Sequence, residues 1–426
     1  MAVNLRLGMH AEKLRFAIHK KKNLMMLQNQ LISLTVKNFR SLANVSINTE
    51  RLTVLFGPNG AGKSAFLEAL WFVQDCRIRG VDIAASDRGH GIGLLWEGAN
   101  DGAFISIGIE TQATNYEILF GYSSGRIETF VGEKLVSKAS KKVLINRKVG
   151  SDKAILNVIP SVTSSHGFQE RGPNGKLIEP EKPSLTRYID FLNLMGTDTH
   201  EVAGLDQLLR GIHYYHARSA NFYKLRTFGS ESRYETRLSS QCENLWSILR
   251  NLHDKQVLDT RYDTIMGFMK ESFPSFKALV TEQTGLNSVY ASFIDKYRRK
   301  PIQVSGISDG QLQMLIQLTA LFSEPDNSLI LLDEPDLSLH PWALSVLAKA
   351  IETATKEWKK QVVIATHSPV LMSQFEAEYL LAVELDDRGQ TVMKRLSKIE
   401  DIQDLLEDYA TGSLYMAEMI APQSEN

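Results

Sequence analysis

Cysteine is almost missing from this 426-residue chain, with only Cys76 and Cys242 present. The two lie far apart and offer neither a disulfide framework nor zinc-ligand spacing, so buried thiols in a reducing, cytoplasmic setting are expected. No apolar run reaches the roughly eighteen residues that a membrane-spanning helix requires, and no membrane partner is expected. Neither sign of charge is in excess: 48 Lys and Arg against 49 Asp and Glu leave a formal net charge of -1. Nucleic-acid binding would therefore have to use a local patch rather than an overall basic field. Sustained heptads are missing too, which argues against a long coiled-coil arm, and no internal repeat is found. The N-terminal stretch carries Arg6, Lys13, Arg15 and Lys20 to Lys22 but no apolar core before a cleavage site, so a secretory signal is not expected. That tail reads as a frayed basic helix or disordered arm, with translation from a start nearer Met25 or Met26, and a nucleic-acid or membrane contact, as the other readings.

What is present is enough apolar residue, 43% of the chain, for a sizeable core in one large domain or two to three lobes. Leu31 to Arg40 alternates like a half-buried strand, with Ala43 to Asn48 as its partner. Gly80 to Gly98 is glycine-rich and reads as an irregular loop. Between Ala103 and Val149 short alternating runs, Phe104 to Glu110, Tyr116 to Phe120 and Val143 to Asn146, predict antiparallel strands. The Pro-containing stretch 160–184 reads as a surface loop or lobe boundary, and helical patterns interrupted by glycine dominate 185–300. The last third alternates: helix over Gln311 to Phe322, strand over Leu329 to Leu332, helix over Ala343 to Lys359, strand over Val362 to Ala365. Fully apolar strands of this kind belong to buried parallel sheets.

Four short segments follow one another in a fixed order. Gly57, Pro58, Asn59, Gly60, Ala61, Gly62, Lys63 and Ser64 spell a phosphate loop between the apolar run Leu52 to Phe56 and a helical pattern from Ala65 to Trp71. Its glycines let successive N–H groups turn onto an anion at the positive end of the helix, Lys63 would reach the β- and γ-phosphates, and the Ser64 hydroxyl would bind Mg²⁺. Asp333 and Glu334 end the apolar strand Leu329 to Leu332, where unpaired charge is costly unless a cation or water receives it. Asp333 on the Mg²⁺ shell and Glu334 orienting the attacking water answer that need, since phosphoryl transfer depends on positioning and charge neutralisation. Ser308 N-caps a helical pattern, and Gly310, before Gln311, leaves space for a phosphate to approach. His367 follows the next strand.

This set resembles the ABC-type ATPase head, and within it the compact RecF/SMC/OLD-like branch. The resemblance implies an α/β fold with a parallel-sheet P-loop core, an antiparallel β subdomain and a helical insert. It also implies ATP and Mg²⁺ as ligands, and a dimer in which the signature segment of one copy completes the ATP site of the other. Lys63 and Ser64 match Walker A, Ser308, Gly310 and Gln311 the signature, Asp333 and Glu334 Walker B, and His367 the switch histidine. Asp336 to His340 stand at the D-loop, with Ser338 expected at the dimer contact, and Asp309 replaces the first glycine of the transporter-style signature. A fuller likeness, carried by Val36 to Leu42, Gly91 to Gly98, Glu243 to Leu249, Asp333 to Pro341 and Thr411 to Tyr415, is to stand-alone predicted ATPases of the AAA-21 group. These often occur in bacterial defence loci beside a separate effector such as a nuclease, an association that no residue here encodes. The implied organisation is a tail (1–30), an N-terminal ATPase lobe with Walker A and antiparallel strands (31–160), a loop and helical insert (161–300), and a C-terminal ATPase lobe (301–426). About sixty residues follow His367, fewer than the TOPRIM nuclease of full-length OLD proteins needs, so any nuclease is expected in a partner chain.

Several positions keep two readings. The Q-loop glutamine is Gln112 or Gln74, and Arg40 and Arg79 either add positive charge for the γ-phosphate or are solvated. His213 and His216 would share a helical face and could bind a metal, although an aromatic-rich packed segment also explains them. Arg226, Arg233, Arg237, Arg298, Arg299 and Lys300 are a solvated face or a DNA or RNA contact. The functional expectation is a slow ATPase used as a conformational switch, the sensor of an anti-phage system. A RecF-like DNA-repair or chromosome-maintenance ATPase that binds duplex DNA is the alternative.

Overall fold

A computed structural model of the chain describes residues 30–422 apart from 101, 130, 152–153, 158–166, 170–184, 186–187, 190–191, 193–199 and 285–286. The basic N-terminal tail lies outside the described residues, as does 160–184 apart from a short strand at Gly167–Gln169. The chain forms two compact units, one of Met1–Thr49 with Phe72–Gly211 and the other of Glu50–Trp71 with Ile212–Asn426. Among the described residues no helix is long and apolar enough to cross a membrane.

The first unit is built on an eight-stranded antiparallel sheet. In spatial order its strands are Gly167–Gln169, Ala154–Asn157, Val143–Arg147, Gly132–Ser137, Thr114–Phe120, Ile105–Glu110, Ser33–Phe39 and Leu42–Asn48. The alternation in the sequence becomes two faces. Leu34 and Val36 pair with Ile109 and Ile107 and are buried, whereas Thr35, Gly108, Glu117 and Lys134 form a polar row across four strands. Period-two patterning and antiparallel pairing account for this.

The expected loop over Gly80 to Gly98 is partly helical, with a helix over Val81–Ser86 and a single turn over Gly89–Gly91. The buried Asp75 explains the difference: it holds both Arg79 and Arg88, the latter at 2.8 Å, and Arg88 also donates to the carbonyl of Ala84. This clamp, with Val81, Ala84 and Ala85 buried beneath it, orders a glycine-rich segment that propensity leaves open. Arg79 is thus an ion-paired residue, bonded to Asp75 and, at 2.6 Å, to Asp87.

The second unit holds a six-stranded sheet. Ile212–His216, Leu329–Asp333, Gln361–Thr366, Leu52–Phe56 and Leu380–Leu385 run parallel, and Thr391–Arg395 closes one edge antiparallel to its neighbour. Every residue of the three middle strands is buried, which continuous apolar runs produce when helices cover both faces. The helix Asp309–Ser323 starts where Ser308 Oγ accepts from Gln311 N, and Pro341 opens the helix Pro341–Lys356. The fold is therefore the mixed α/β architecture that the resemblance implies, with both parallel and antiparallel sheets.

One segment corrects the reading of 185–300 as mainly helical. Ile212–His216 is a strand of the parallel sheet, and Phe276–Thr284 and Ser288–Asp295 form a hairpin. In a strand alternate residues share a face, so the three-residue spacing of His213 and His216 does not bring them together, and the metal reading is set aside. His213 and Tyr215 instead meet Glu324, which follows the helix Asp309–Ser323: Tyr215 donates to Glu324 Oε1 at 3.0 Å and His213 Nε2 lies 3.1 Å from Oε2. The fully buried Lys360 donates to the carbonyls of Glu324 and Pro325.

Burial pushes Glu324 up to about 7, against a hydrogen bond from Tyr215, and pushes His213 down to about 3. Between the ordinary values of 4.5 and 6.5, folding leaves a proton on Glu324 that the unfolded chain releases, and withholds one from His213 that the unfolded chain takes up. The two linkages cancel there. Glu324→Gln is therefore expected to unmask the histidine, so that stability falls as pH drops from 6.5 toward 3, with a slope approaching about 1.4 kcal/mol per pH unit. His213→Asn is expected to act in the opposite sense, with stability falling as pH rises from 4.5 to about 7. Urea midpoints measured across this range check both, and parallel curves for wild type and variants would refute them.

Candidate functional site

The parallel registers align the strand ends. Thr366 sits opposite Phe56, and Asp333 opposite both Ala365 and His216, so Gly57, His367, Glu334 and Ala217 leave the sheet along one edge. The carboxyl edge of a parallel sheet is where such folds bind ligands.

The phosphate loop starts at a position that only glycine fits. A Cβ on Gly57 would meet the carbonyl oxygen of Val383 at 2.0 Å. Gly60 and Gly62 take positive φ of 78° and 106°, Asn59 is exposed, and Thr391 Oγ1 donates to the Ala61 carbonyl at 2.9 Å. Lys63 opens the helix Lys63–Arg79 and curls back, donating to the carbonyls of Gly57 and Pro58 at 2.8 Å each. Burial lowers its amine to about 8, while Asp333, Glu334 and Asp336 act in the opposite direction. Ser64 Oγ donates to Asp333 Oδ1 at 3.0 Å, joining segments 269 residues apart.

Asp333 receives a second hydrogen bond, from Tyr214 at 2.8 Å, and burial raises its carboxyl despite both partners. Trp71 stacks on the Tyr214 ring at 4.8 Å. Glu334 turns out of the strand with φ of 51°, its N–H bonded to the Ala365 carbonyl at 2.9 Å. A non-glycine residue held in the left-handed region is a strained conformation of the kind that collects at functional sites. One Glu334 oxygen lies 2.9 Å from Arg218 Nε and the other 3.6 Å from His367 Nε2. The other ring nitrogen of His367 is 3.2 Å from the Gly57 carbonyl, and burial, then Lys63, lowers its pKa. Asp336 accepts from Thr366 at 2.6 Å, and burial raises it.

At the signature segment, the Ser308 side chain bonds, among the described residues, only to Gln311, its carbonyl accepts from Leu312 N at 3.2 Å, and Arg226 ties its flank by donating to the Ile307 carbonyl at 3.0 Å and to Asp309 at 2.7 Å. A Cβ on Gly310 would meet the Ser338 carbonyl at 2.7 Å, so this glycine is needed for contact with the D-loop of its own chain. Ser338 itself has φ of 64°.

Gln74, Gln112, Arg40 and Arg79 belong to the first unit. The arginines read as one basic surface are divided: Arg226 pairs with Asp309, Arg233 with Glu231 and Arg237 with Glu324, while Arg298, Arg299 and Lys300 are exposed.

The sequence reading missed Tyr214 and Arg218, whose roles depend on which strand lies beside Walker B. It also gave no task to Thr411 to Tyr415. The helix Thr411–Met416 packs so closely that a Cβ on Gly412 would meet the Pro369 carbonyl at 2.2 Å, its N–H bonds to Ser373, and Tyr415 sets its ring against Phe56 at 5.8 Å.

The side chains fit Mg-ATP. Three acidic groups crowd a partly desolvated site around one amine, and a hydroxyl next to a carboxylate is the hard oxygen pair that Mg²⁺ takes alongside phosphates. Bound Mg²⁺ would neutralise the triphosphate and the charge that develops as the γ-phosphoryl group leaves.

Residues 177–373 match a family model described as AAA domain, putative AbiEii toxin, Type IV TA system, and residues 30–112 match one described as AAA ATPase domain. The chain is 25% identical over 396 residues to the Old nuclease of Escherichia phage P2, covering 88% of this chain and 62% of that protein. It is 24% identical over 378 residues to Endonuclease GajA of Bacillus cereus strain VD045, covering 84% and 58%. The chain thus spans about three-fifths of the length of these curated relatives, between 58% and 62%. Among solved structures it is similar to an Smc head bound to the C-winged helix domain of ScpA, with TM-score 0.48, 14% identity, and coverage of 86% and 99%. The SMC head domain from Thermotoga maritima gives TM-score 0.39 at 14% identity, covering 86% of this chain and 98% of that one. The family matches and the curated relatives, together with the phosphate loop and the acidic strand end joined by Ser64 and Asp333, make this chain similar to AAA-type ATPase domains and to the Old and GajA proteins over most of its length.

Proposed function

We propose that the chain binds Mg-ATP, pairs with a second copy around it, and hydrolyses it slowly as a conformational switch that controls a separate effector. The observation that carries this reading is the Ser64 to Asp333 hydrogen bond of 3.0 Å, which joins the phosphate loop to the acidic strand end. In the proposed cycle Lys63 exchanges its two loop carbonyls for phosphate oxygens, Ser64 and Asp333 hold the metal, and Glu334 orients the attacking water. His367 acts from the opposite side of Glu334. ATP drives the switch only if it binds the closed pair better than the open one, and the exposed Ser308, whose hydrogen bonds among the described residues stay within its own turn, supplies that difference by reaching the partner's γ-phosphate.

The effector is proposed to be a nuclease in an anti-phage system. The nuclease names of the two curated relatives support this. Co-purification of a second protein with the ATPase, released or activated on infection, tests it.

The pairing is tested in trans. Ser308→Arg is expected to leave ATP binding intact and to abolish hydrolysis, because the bulky cation meets the partner's phosphate pocket. Mixed with an inactive Lys63→Ala chain, it should recover about a quarter of wild-type activity, since half of randomly formed pairs carry one intact composite site of two. No recovery at any mixing ratio would defeat the shared-site reading.

A further inference from the structure

We infer that Arg218 is a positioning residue for hydrolysis, holding one carboxylate oxygen of Glu334 so that the other faces the phosphate loop. The inference rests on the proposed role of Glu334 and adds a residue that lies outside the four motifs.

The geometry starts from the sheet register. His216 lies opposite Asp333 across a parallel pair, so the residues just beyond each strand end emerge side by side. A single helical turn, Ala217–Ser219, follows His216, and the His216 ring caps it by accepting from Arg218 N at 3.0 Å. That turn places Arg218 Nε 2.9 Å from Glu334 Oε2. The His213 to His216 segment thereby gains a use: its last histidine orders the turn that presents the arginine.

The arrangement around the carboxylate is one-sided. Oε2 is buried and ion-paired with Arg218 at 2.9 Å, while Oε1 faces His367 at a looser 3.6 Å, and His367 in turn touches Gly57 at the start of the phosphate loop. The backbone of Glu334 adds direction through its left-handed φ of 51° and its bond to Ala365. An acceptor for the water's proton must be aimed as well as present, and small misplacements of a reacting group are expensive in rate. Because the Arg218 side chain is two-thirds exposed at 67%, its pair with Glu334 contributes little to folding. Its loss should be read in catalysis.

The test is Arg218→Ala, with ATP binding, turnover and thermal midpoint measured on the same protein. We expect kcat to fall about tenfold, with ATP affinity and midpoint unchanged. Arg218→Lys should recover part of the rate, since an ammonium can still reach the carboxylate without the planar fork. In a Glu334→Gln background, removing Arg218 should have no further effect on hydrolysis, as expected of two residues acting through one contact. An unchanged kcat for Arg218→Ala would overturn the inference. So would a parallel loss of ATP affinity, which would make Arg218 a phosphate ligand instead. If Glu334→Gln itself kept wild-type hydrolysis, the proposed function would fail at its base, a result separable from failure at Arg218 alone.

Discussion

Glu334→Gln is expected to bind Mg-ATP as tightly as wild type, to hydrolyse it at least about a hundredfold more slowly, and to accumulate as a nucleotide-bound pair. The amide keeps the size of the carboxylate and the backbone conformation at φ of 51°, so the pocket is conserved. What it loses is the acceptor for the water's proton and the charge that meets Arg218 and His367. With the chemical step blocked, the differential affinity of ATP for the closed pair is no longer released by hydrolysis, and that state persists. Size-exclusion chromatography with light scattering, run with and without Mg-ATP, measures this directly. A variant that stays monomeric at every concentration with ATP bound would count against pairing, and one that still turns over ATP would remove Glu334 from the reaction.

Lys63→Ala is expected to lower ATP affinity about a hundredfold or more, since hydrogen bonds from a charged donor contribute about 1.5–3 kcal/mol each. The amine is buried, at 4% exposure, and faces three carboxylates. Its removal takes the ammonium donor from the Gly57 and Pro58 carbonyls and leaves the site with no lysine to balance an incoming triphosphate. Isothermal titration with a non-hydrolysable ATP analogue gives the loss, and circular dichroism shows whether the fold survives. Near-wild-type affinity in a folded variant would show that the loop does not use this lysine.

The phosphate-loop turn and the acidic strand end were legible because each needs a fixed local spelling: glycines where φ is positive, and a carboxylate after an apolar strand. The parallel core was legible for a similar reason, since Leu329 to Leu332 and Val362 to Ala365 are apolar throughout and buried. Ile212–His216 was not, because its two histidines and two tyrosines break the apolar run. Those side chains serve different neighbours, Tyr214 at Asp333, His216 at the Arg218 backbone, and His213 and Tyr215 at Glu324. Arg218 could not be read at all, since its meaning lies in the pairing of strands more than a hundred residues apart, as Ile212 with Leu329. Gly310 was read for a phosphate alone: local sequence shows that a glycine wants close approach, and the fold adds that the Ser338 carbonyl of the same chain approaches it.

The helix Thr411–Met416 grips two ends of the machinery at once, through Tyr415 on Phe56 and Gly412 on Pro369. A fluorophore or affinity handle attached near Met416, whose side is 72% open to solvent, would consequently be no silent label. Mounted on the brace between the strand before the first motif and the helix after the last, it would load the contacts to Phe56 and Pro369, and an antibody or protein that seized it from outside would pull on both.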